Sequence, residues 1–565
     1  MSTALLSKQN DCRSCYKCIR NCPTKSISFQ NGQASIIPEE CVMCGVCYLV
    51  CPQNCKVIRD DLDKAKSLLN SKQEVYASVA PSFLPSFPGA SFDTFKKALL
   101  QLGFAGAEET AIGATIVKNE YDAMCDDGKH DIIISTCCHS INLLIEKHYP
   151  DAGKYLAPVL SPMLAHAQDL KKRHPGCKVV FFGPCISKKN EIEMYPDYDD
   201  CVLTFLELEK WLKEKNVVIE KDPNPKKVEE SLARLFPIEG GILATMKKDN
   251  PNFDYISISG MEEAISAIKD ILAGKVHNSF IEMSSCRGSC VNGPAINPDA
   301  RALVSSYLAI KRSAGKKDFE TSSYKSEELK KNMPCFSIKE ITPSEAEIKR
   351  VLSLIGKTSK KDELNCSSCG YPSCREKAIA VIKGKANLEM CLPFLMEKAK
   401  SFSNNIVEGS ENGIVVTNED FIIQLANKSF AKMLNIANPT DLIDKPLDSV
   451  LDTELFSLAL GGTPIRNKKI CLSGLEKYVE ASVVYDKQYH IISGTYHDVT
   501  ELEMRRQKER EMADKAAEIT TNVIEKNMRA VQEIASLLGE STAETKVALT
   551  QLKDALKKDE KDDDR

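Results

Sequence analysis

Four cysteines, Cys138, Cys185, Cys286 and Cys290, each follow closely on a short apolar run, and no other feature constrains the fold as tightly. The runs 132–134, 179–182 and 280–281 are short and interspersed with helical patterns, which predicts buried parallel strands of an α/β domain. Chemistry in open α/β sheets gathers at the carboxyl ends of the strands, so thiols from three separate segments are predicted at one buried rim, able to hold one metal cluster. A single buried cysteine would mean little, since free Cys is among the most buried residue types.

Two further words constrain the amino-terminal region. Cys12, Cys15, Cys18 and Cys22 precede Pro23, and Cys41, Cys44, Cys47 and Cys51 precede Pro52. This is the run of a bacterial two-cluster ferredoxin fold, in which the fourth cysteine of each repeat ligates the other 4Fe-4S cube. One cube is predicted on Cys12, Cys15, Cys18 and Cys51, and the second on Cys41, Cys44, Cys47 and Cys22. Paired Cys-x-x-Cys knuckles for zinc would need neither the extra thiols nor the prolines. So small a module buries little core, so metal binding has to supply folding free energy. Cys55 lies outside the pattern and reads as a packed thiol.

A length of 565 residues predicts roughly three to five domains. The 23 cysteines, with no leader and no apolar run of membrane-spanning length, predict a reducing, cytoplasmic setting in which thiolates bind metal. A net charge of −4 gives no reason to expect nucleic acid as a partner, and nothing points to a membrane. The charged run 557–565 is of mixed sign and reads as a solvated tail.

The words around the first four cysteines are Ser-Thr-Cys-Cys at 135–138, Gly-Pro-Cys-Ile-Ser-Lys-Lys-Asn-Glu at 183–191 and Glu-Met-Ser-Ser-Cys-Arg-Gly-Ser-Cys at 282–290. They resemble the three signature segments of the FeFe-hydrogenases. The resemblance implies an H-cluster: a 4Fe-4S cube on Cys138, Cys185, Cys286 and Cys290, bridged through Cys290 to a diiron site with CO, CN and a bridging dithiolate. It also implies that Cys137 delivers the proton, with a thiol pKa lowered by the nearby metal. Lys188 would pair with a cyanide ligand, Glu191 would orient that lysine, and Ala80, Pro81 and Ser82 would line the diiron pocket. Gly183 and Ser284 stand where efficient members carry methionine, which admits water or a hydroxyl beside the cluster. Of the relay positions, Val117 and Ala157 have lost their polar groups and only Glu120 keeps its acid, so the proton route is predicted to be slow.

Cys366, Cys369, Cys374 and Cys391 form a further set, with Gly370, Tyr371 and Pro372 between. Their spacing resembles a small 4Fe-4S domain, although four cysteines can also serve zinc. The segments 413–420, 424–430 and 497–500 resemble a PAS domain, a sensor and dimerisation module. From about 501 a helix is predicted, with an apolar seam at Ile524, Met528, Val531, Ala535, Leu538, Thr542, Thr545, Leu549, Leu552 and Leu556. The seam suits a dimeric coiled coil or packing on the chain's own PAS domain.

The expected architecture is multidomain α/β and α+β: a two-cluster ferredoxin domain at 1–72, an H-cluster α/β domain at 73–358, a four-cysteine domain at 359–400, a PAS domain at 401–500 and a helix at 501–565. The order resembles the sensory branch of the FeFe-hydrogenases. It implies reversible cleavage of H2 at low turnover, a homodimer, and signalling to a separate protein such as a kinase or phosphatase. A metabolic hydrogenase trading electrons with ferredoxin or another carrier, and a hydrogenase-like assembly protein without the diiron site, are the alternatives; retained Cys137 and Lys188 speak against the second.

Overall fold

A computed structural model describes residues 4–8, 11–251, 253–334, 336, 338, 342–472 and 474–559, with side chains as far as residue 554. The side chains of Leu556 and of the charged run 557–565 therefore lie outside the described residues. The chain divides into two compact units, Met1–Leu395 and Met396–Arg565.

The first unit opens with two short antiparallel pairs, Leu5–Ser7 with Lys56–Ile58 and Ile27–Gln30 with Gln33–Ile36, which frame the cysteine repeats. Helices Lys17–Asn21 and Val46–Val50 start from left-handed residues, Tyr16 and Gly45, and each stops at an extended cysteine, Cys22 or Cys51. The proline after each of these cysteines disfavours helical backbone at the residue before it, so the repeat terminates its own helix. Each fourth thiol is thus held just beyond a helix end.

The three apolar runs become strands, but in two sheets. Lys178–Gly183 is interior to a parallel four-stranded sheet ordered Gly106–Glu109, Val75–Val79, Lys178–Gly183, Cys201–Thr204. Ile132–Ile134 and Ser279–Ser284 belong to a separate parallel sheet ordered Asp254–Ser259, Ser279–Ser284, Ile132–Ile134. The single rim expected from the sequence is replaced by the ends of two sheets. Short strands buried on both faces carry no alternation that reveals which neighbours they join.

Helix Glu345–Leu354 falls within the expected limits of the α/β domain, yet it packs on helix Cys374–Ile382, with Ile348, Leu352 and Ile355 against Ala378 and Cys391. Helix Leu392–Gly409 runs straight through the boundary expected at 400.

The second unit holds a five-stranded antiparallel sheet ordered Ile423–Ala426, Gly413–Asn418, Ile491–Asp498, Lys477–Asp486, Ile465–Leu472. Phe430, Phe456, Val479 and Tyr496 pack its core. Helix Thr500–Asp559 follows as one 60-residue element. Its seam residues Ile524, Met528, Val531, Leu538, Leu549 and Leu552 are all more than half exposed. No helix among the described residues is long and apolar enough to cross a membrane.

The α/β region depends on a close helix crossing. Helix Ala111–Asp126 meets Pro162–Arg173 at Gly113, where an added Cβ would lie 2.2 Å from Pro162 O and 2.7 Å from His166 N. Backbone cannot yield as a side-chain tip can, so Gly113→Ala is expected to destabilise the first unit by about 1–3 kcal/mol through overpacking. Denaturant unfolding of the variant beside the parent checks this; equal midpoints would contradict it.

Candidate metal centres

The ferredoxin-like repeats surround two separate cavities. Cys12, Cys15, Cys18 and Cys51 line one, joined by Cys55 and Lys56, and Cys22, Cys41, Cys44 and Cys47 line the other. The fourth cysteine of each repeat has crossed to the other set because it stands past the end of its helix. Among the described residues, no three His, Cys, Asp or Glu side chains lie close enough to share one metal ion. Zinc gathers its four ligands at roughly 2.3 Å from a single point. Thiols spread around a cavity suit a cube, in which each binds its own iron.

Cys138, Cys185, Cys286 and Cys290 come together from the ends of both sheets. Burial, followed by the nearness of Cys138, Cys185 and Cys286, pushes the Cys290 thiol well above its ordinary range. Burial with Cys185 and Cys138 raises Cys286 in the same way, and Cys44 of the second ferredoxin-like set adds to it. Thiols this hard to ionise alone become ligands when a metal takes the place of the proton. Cys44 reaches this centre because Gly45, at φ 77°, leaves no room for a Cβ beside Pro294 and Ile186, at 2.6 and 2.9 Å. The two modules are seated directly on each other at that glycine.

The loop 80–82 approaches the strand that leads to Cys185: Ala80 Cβ would lie 3.6 Å from a Cβ at Gly183. Ala80 N donates to Phe182 O at 2.9 Å and fixes the loop after strand Val75–Val79. Ser82 follows with its Oγ buried and, among the described residues, without a hydrogen-bond partner. Pro81 lies between them. A buried hydroxyl left unpaired costs about 1–3 kcal/mol, so the loop fits a bound polar group. Ser284 Oγ donates to Cys286 O at 3.4 Å. At Gly183 an added Cβ would lie 2.5 Å from the Phe181 ring.

Lys188 belongs to a buried charge cluster. Its ammonium donates to Cys137 O at 3.2 Å and to Glu191, which is fully buried. Glu191 also accepts from Lys331 Nζ at 2.6 Å and Ser161 Oγ at 3.2 Å. Burial alone would raise the Glu191 carboxyl, but Lys188 and Lys331 hold it well below the usual carboxylate range. Two ammonium groups share one carboxylate, which leaves one positive charge in excess next to the thiol centre. Lys331 carries no motif that sequence reading could have found.

Cys137 Sγ lies 3.3 Å from Tyr121 Oη, and Tyr121 in turn accepts from Thr136 N at 2.9 Å. Burial pushes the Cys137 thiol up to about 12, against the pull of Tyr121 and Lys188 and with a further push from Glu282. Lys188 offsets only part of that push, and the lowering that a bound metal would bring is separate from what these side chains do. Glu120 is not brought to Cys137; its carboxylate accepts from Ser326 Oγ at 3.1 Å. The nearby acid is Glu282, which accepts from Gly240 N and Leu243 N at 3.0 and 3.1 Å and is raised by burial to about 7. Val117 and Ala157 are buried and apolar.

The last four-cysteine set is built onto the ferredoxin-like module. Cys369, Cys374 and Cys391 surround the buried Lys377, and Asn365, next to Cys366, accepts from Cys374 N at 2.8 Å. Arg20 donates to Ser367 O and Ser368 O at 3.3 and 3.2 Å, and Lys25 donates to Gly370 O at 3.2 Å. The third set thus meets the helix that carries Cys18 and leads into Cys22.

These sites define an iron–sulfur protein: a four-cysteine centre at the ends of two parallel sheets, adjoined by a two-cluster module that carries a further cluster domain. Residues 73–294 match the family model of the iron only hydrogenase large subunit, C-terminal domain; residues 4–52 match a 4Fe-4S dicluster domain, and residues 362–393 an Fe-S cluster domain. The middle of the chain is thus similar to that hydrogenase domain, and the two flanking segments to iron–sulfur cluster domains. Among solved structures, a glutamate variant of the FeFe-hydrogenase HydA1 from Chlamydomonas reinhardtii is 15% identical with a TM-score of 0.41, covering 50% of this chain and 100% of that one. An FeFe-hydrogenase structure concerned with oxygen inactivation of the 2Fe subcluster gives 16% identity, a TM-score of 0.40 and the same coverage. The PAS domain of an HTR-like protein from Haloarcula marismortui gives 16% identity and a TM-score of 0.15, over 18% of this chain and 94% of that one. A search of curated proteins returns no match.

The buried cluster around Glu191 makes a direct prediction. Glu191→Gln leaves Lys188 and Lys331 without their shared counter-charge, and breaking a buried ion pair from one side costs about 3–5 kcal/mol. Adding Lys331→Met to that variant should recover part of the loss. Denaturant unfolding of the two variants checks both statements, and a double variant no more stable than the single one would contradict the shared role.

Proposed function

We propose that this protein detects hydrogen by cleaving it reversibly, at low turnover, and passes the result through its C-terminal half to a separate signalling protein. The observation that carries the reading is the charge cluster at Lys188, with the thiol of Cys137 alongside it, beside four converging cysteines. An H-cluster bound there would supply a diiron site, with CO, CN and dithiolate ligands, at which H2 divides into two protons and two electrons. Cys138, Cys185, Cys286 and Cys290 would hold its cube, with Cys290 bridging to the diiron unit.

The chain's own groups then have separate tasks. Lys188, with the excess positive charge of its cluster, binds and orients anionic ligands. Ser82 offers an unused hydroxyl, and Ala80 and Pro81 close the wall beside it. Cys137 holds a proton at Sγ and exchanges it. The loss of polar groups at Val117 and Ala157 leaves its connection to solvent poor, which suits occupancy better than throughput.

In the second unit, the five-stranded sheet followed by a long helix supports a PAS domain coupled to a dimeric coiled coil. The exposed seam from Ile524 to Leu552 is the face that a second copy would cover. A bistable pair of this kind needs only a few kcal/mol of differential interaction to shift its balance. The partner is a separate protein such as a kinase or phosphatase.

Hydrogen–deuterium exchange of the matured protein under hydrogen and under argon tests the reading. Amides of the helix Thr500–Asp559 should change protection between the two gases, and Cys290→Ala should abolish the difference. Identical exchange under both gases, together with rapid hydrogen turnover, would contradict sensing and favour a working hydrogenase.

A further inference from the structure

Six lysines are buried among the described residues of the first unit, and four of them have carboxylate partners, Lys188 through the Glu191 already described. Lys118 pairs with Asp318, Lys189 with Asp61 and Glu207, and Lys331 with Glu191. This is the ordinary rule, since a charge is taken from water at a large cost unless it is paired. Lys56 and Lys377 depart from it. Lys56 is 2% exposed and donates to Ser7 Oγ at 2.7 Å and to Ala34 O; Lys377 is 1% exposed and donates to Leu388 O at 3.1 Å. Among the described residues, neither forms an ion pair with a carboxylate.

What surrounds both of them instead is thiol. Lys56 lines the cavity of Cys12, Cys15, Cys18 and Cys51, and its charge also acts on Cys47 of the other set. The strand Lys56–Ile58 places it there by pairing Ser7 with Lys56 directly after the second cysteine repeat. Lys377, one turn into the helix that begins at Cys374, faces Cys391, Cys369 and Cys374.

We propose that Lys56 is the shared counter-charge of the two ferredoxin-type centres and that Lys377 is the counter-charge of the third. A fixed positive charge in a low-dielectric interior favours the more negative, reduced state of a nearby cluster and so raises its reduction potential. By serving both of the first two sets, Lys56 moves their potentials together and keeps them matched. Lys377 sets the third independently. The inference rests on these twelve cysteines holding iron–sulfur cubes and requires nothing of hydrogen sensing.

The test is a redox titration of the reconstituted full-length protein followed by electron paramagnetic resonance, with iron content measured for every sample. Lys56→Met and Lys56→Gln should lower the midpoint potentials of both ferredoxin-type signals and leave the third in place, whereas Lys56→Arg should stay near the parent. Lys377→Met should lower the third signal alone. Loss of iron from the neutral Lys56 variants with retention in Lys56→Arg supports the same role, because a charge is then what the thiolates require. Iron-replete neutral variants with parental potentials would overturn the inference, as would a Lys56→Arg protein that behaves like Lys56→Met. A parent protein lacking the iron for these three centres would overturn the cluster reading beneath it.

Discussion

The first unit gathers cysteines such as Cys44, Cys286 and Cys290 where burial first, and their neighbours second, make each hard to ionise. Left as free thiols, these groups offer the interior little beyond packing. As metal ligands they turn the binding free energy of a cluster into folding free energy. The apolar core is built to permit this: the strands end just before the cysteines, and the helices Lys17–Asn21 and Val46–Val50 end upon them.

Charge in the interior is organised around the same need. The protein spends its buried carboxylates on lysines away from the ferredoxin-like and third sets, such as Lys118, Lys189 and Lys331, and leaves Lys56 and Lys377 to the thiols. Beside the H-cluster-type centre it keeps one more ammonium than carboxylate, at Lys188 and Lys331 around Glu191. The physical economy is consistent. The cysteine sets are met by cations whose charge no carboxylate of their own fully balances.

Much of this was legible because cysteine chemistry is local in sequence. The spacing of Cys12 to Cys22 and of Cys41 to Cys51 specifies both the helix ends and the exchange of fourth ligands, so the two cavities could be anticipated residue by residue. The charge partners could not. Lys331 reaches Glu191 across 140 positions with no word to mark it, and Tyr121 meets Cys137 from a helix whose pattern announces only burial. The division into two sheets was hidden for a related reason: Ile132–Ile134 is buried at every position and has no polar face to betray its neighbours. Helix Glu345–Leu354 was visible as a helix, but its amphipathic face does not say that it covers Cys391 rather than the α/β core.

The central claim is that Cys138, Cys185, Cys286 and Cys290, with Lys188 and Ser82 beside them, form the seat of a complete H-cluster. Infrared spectroscopy after maturation with a diiron cofactor tests it most directly, because CO and CN stretches arise from no group of the protein itself. The account predicts those bands in the parent and their loss in Cys290→Ala. An iron-replete parent that shows no CO or CN bands after maturation would contradict it.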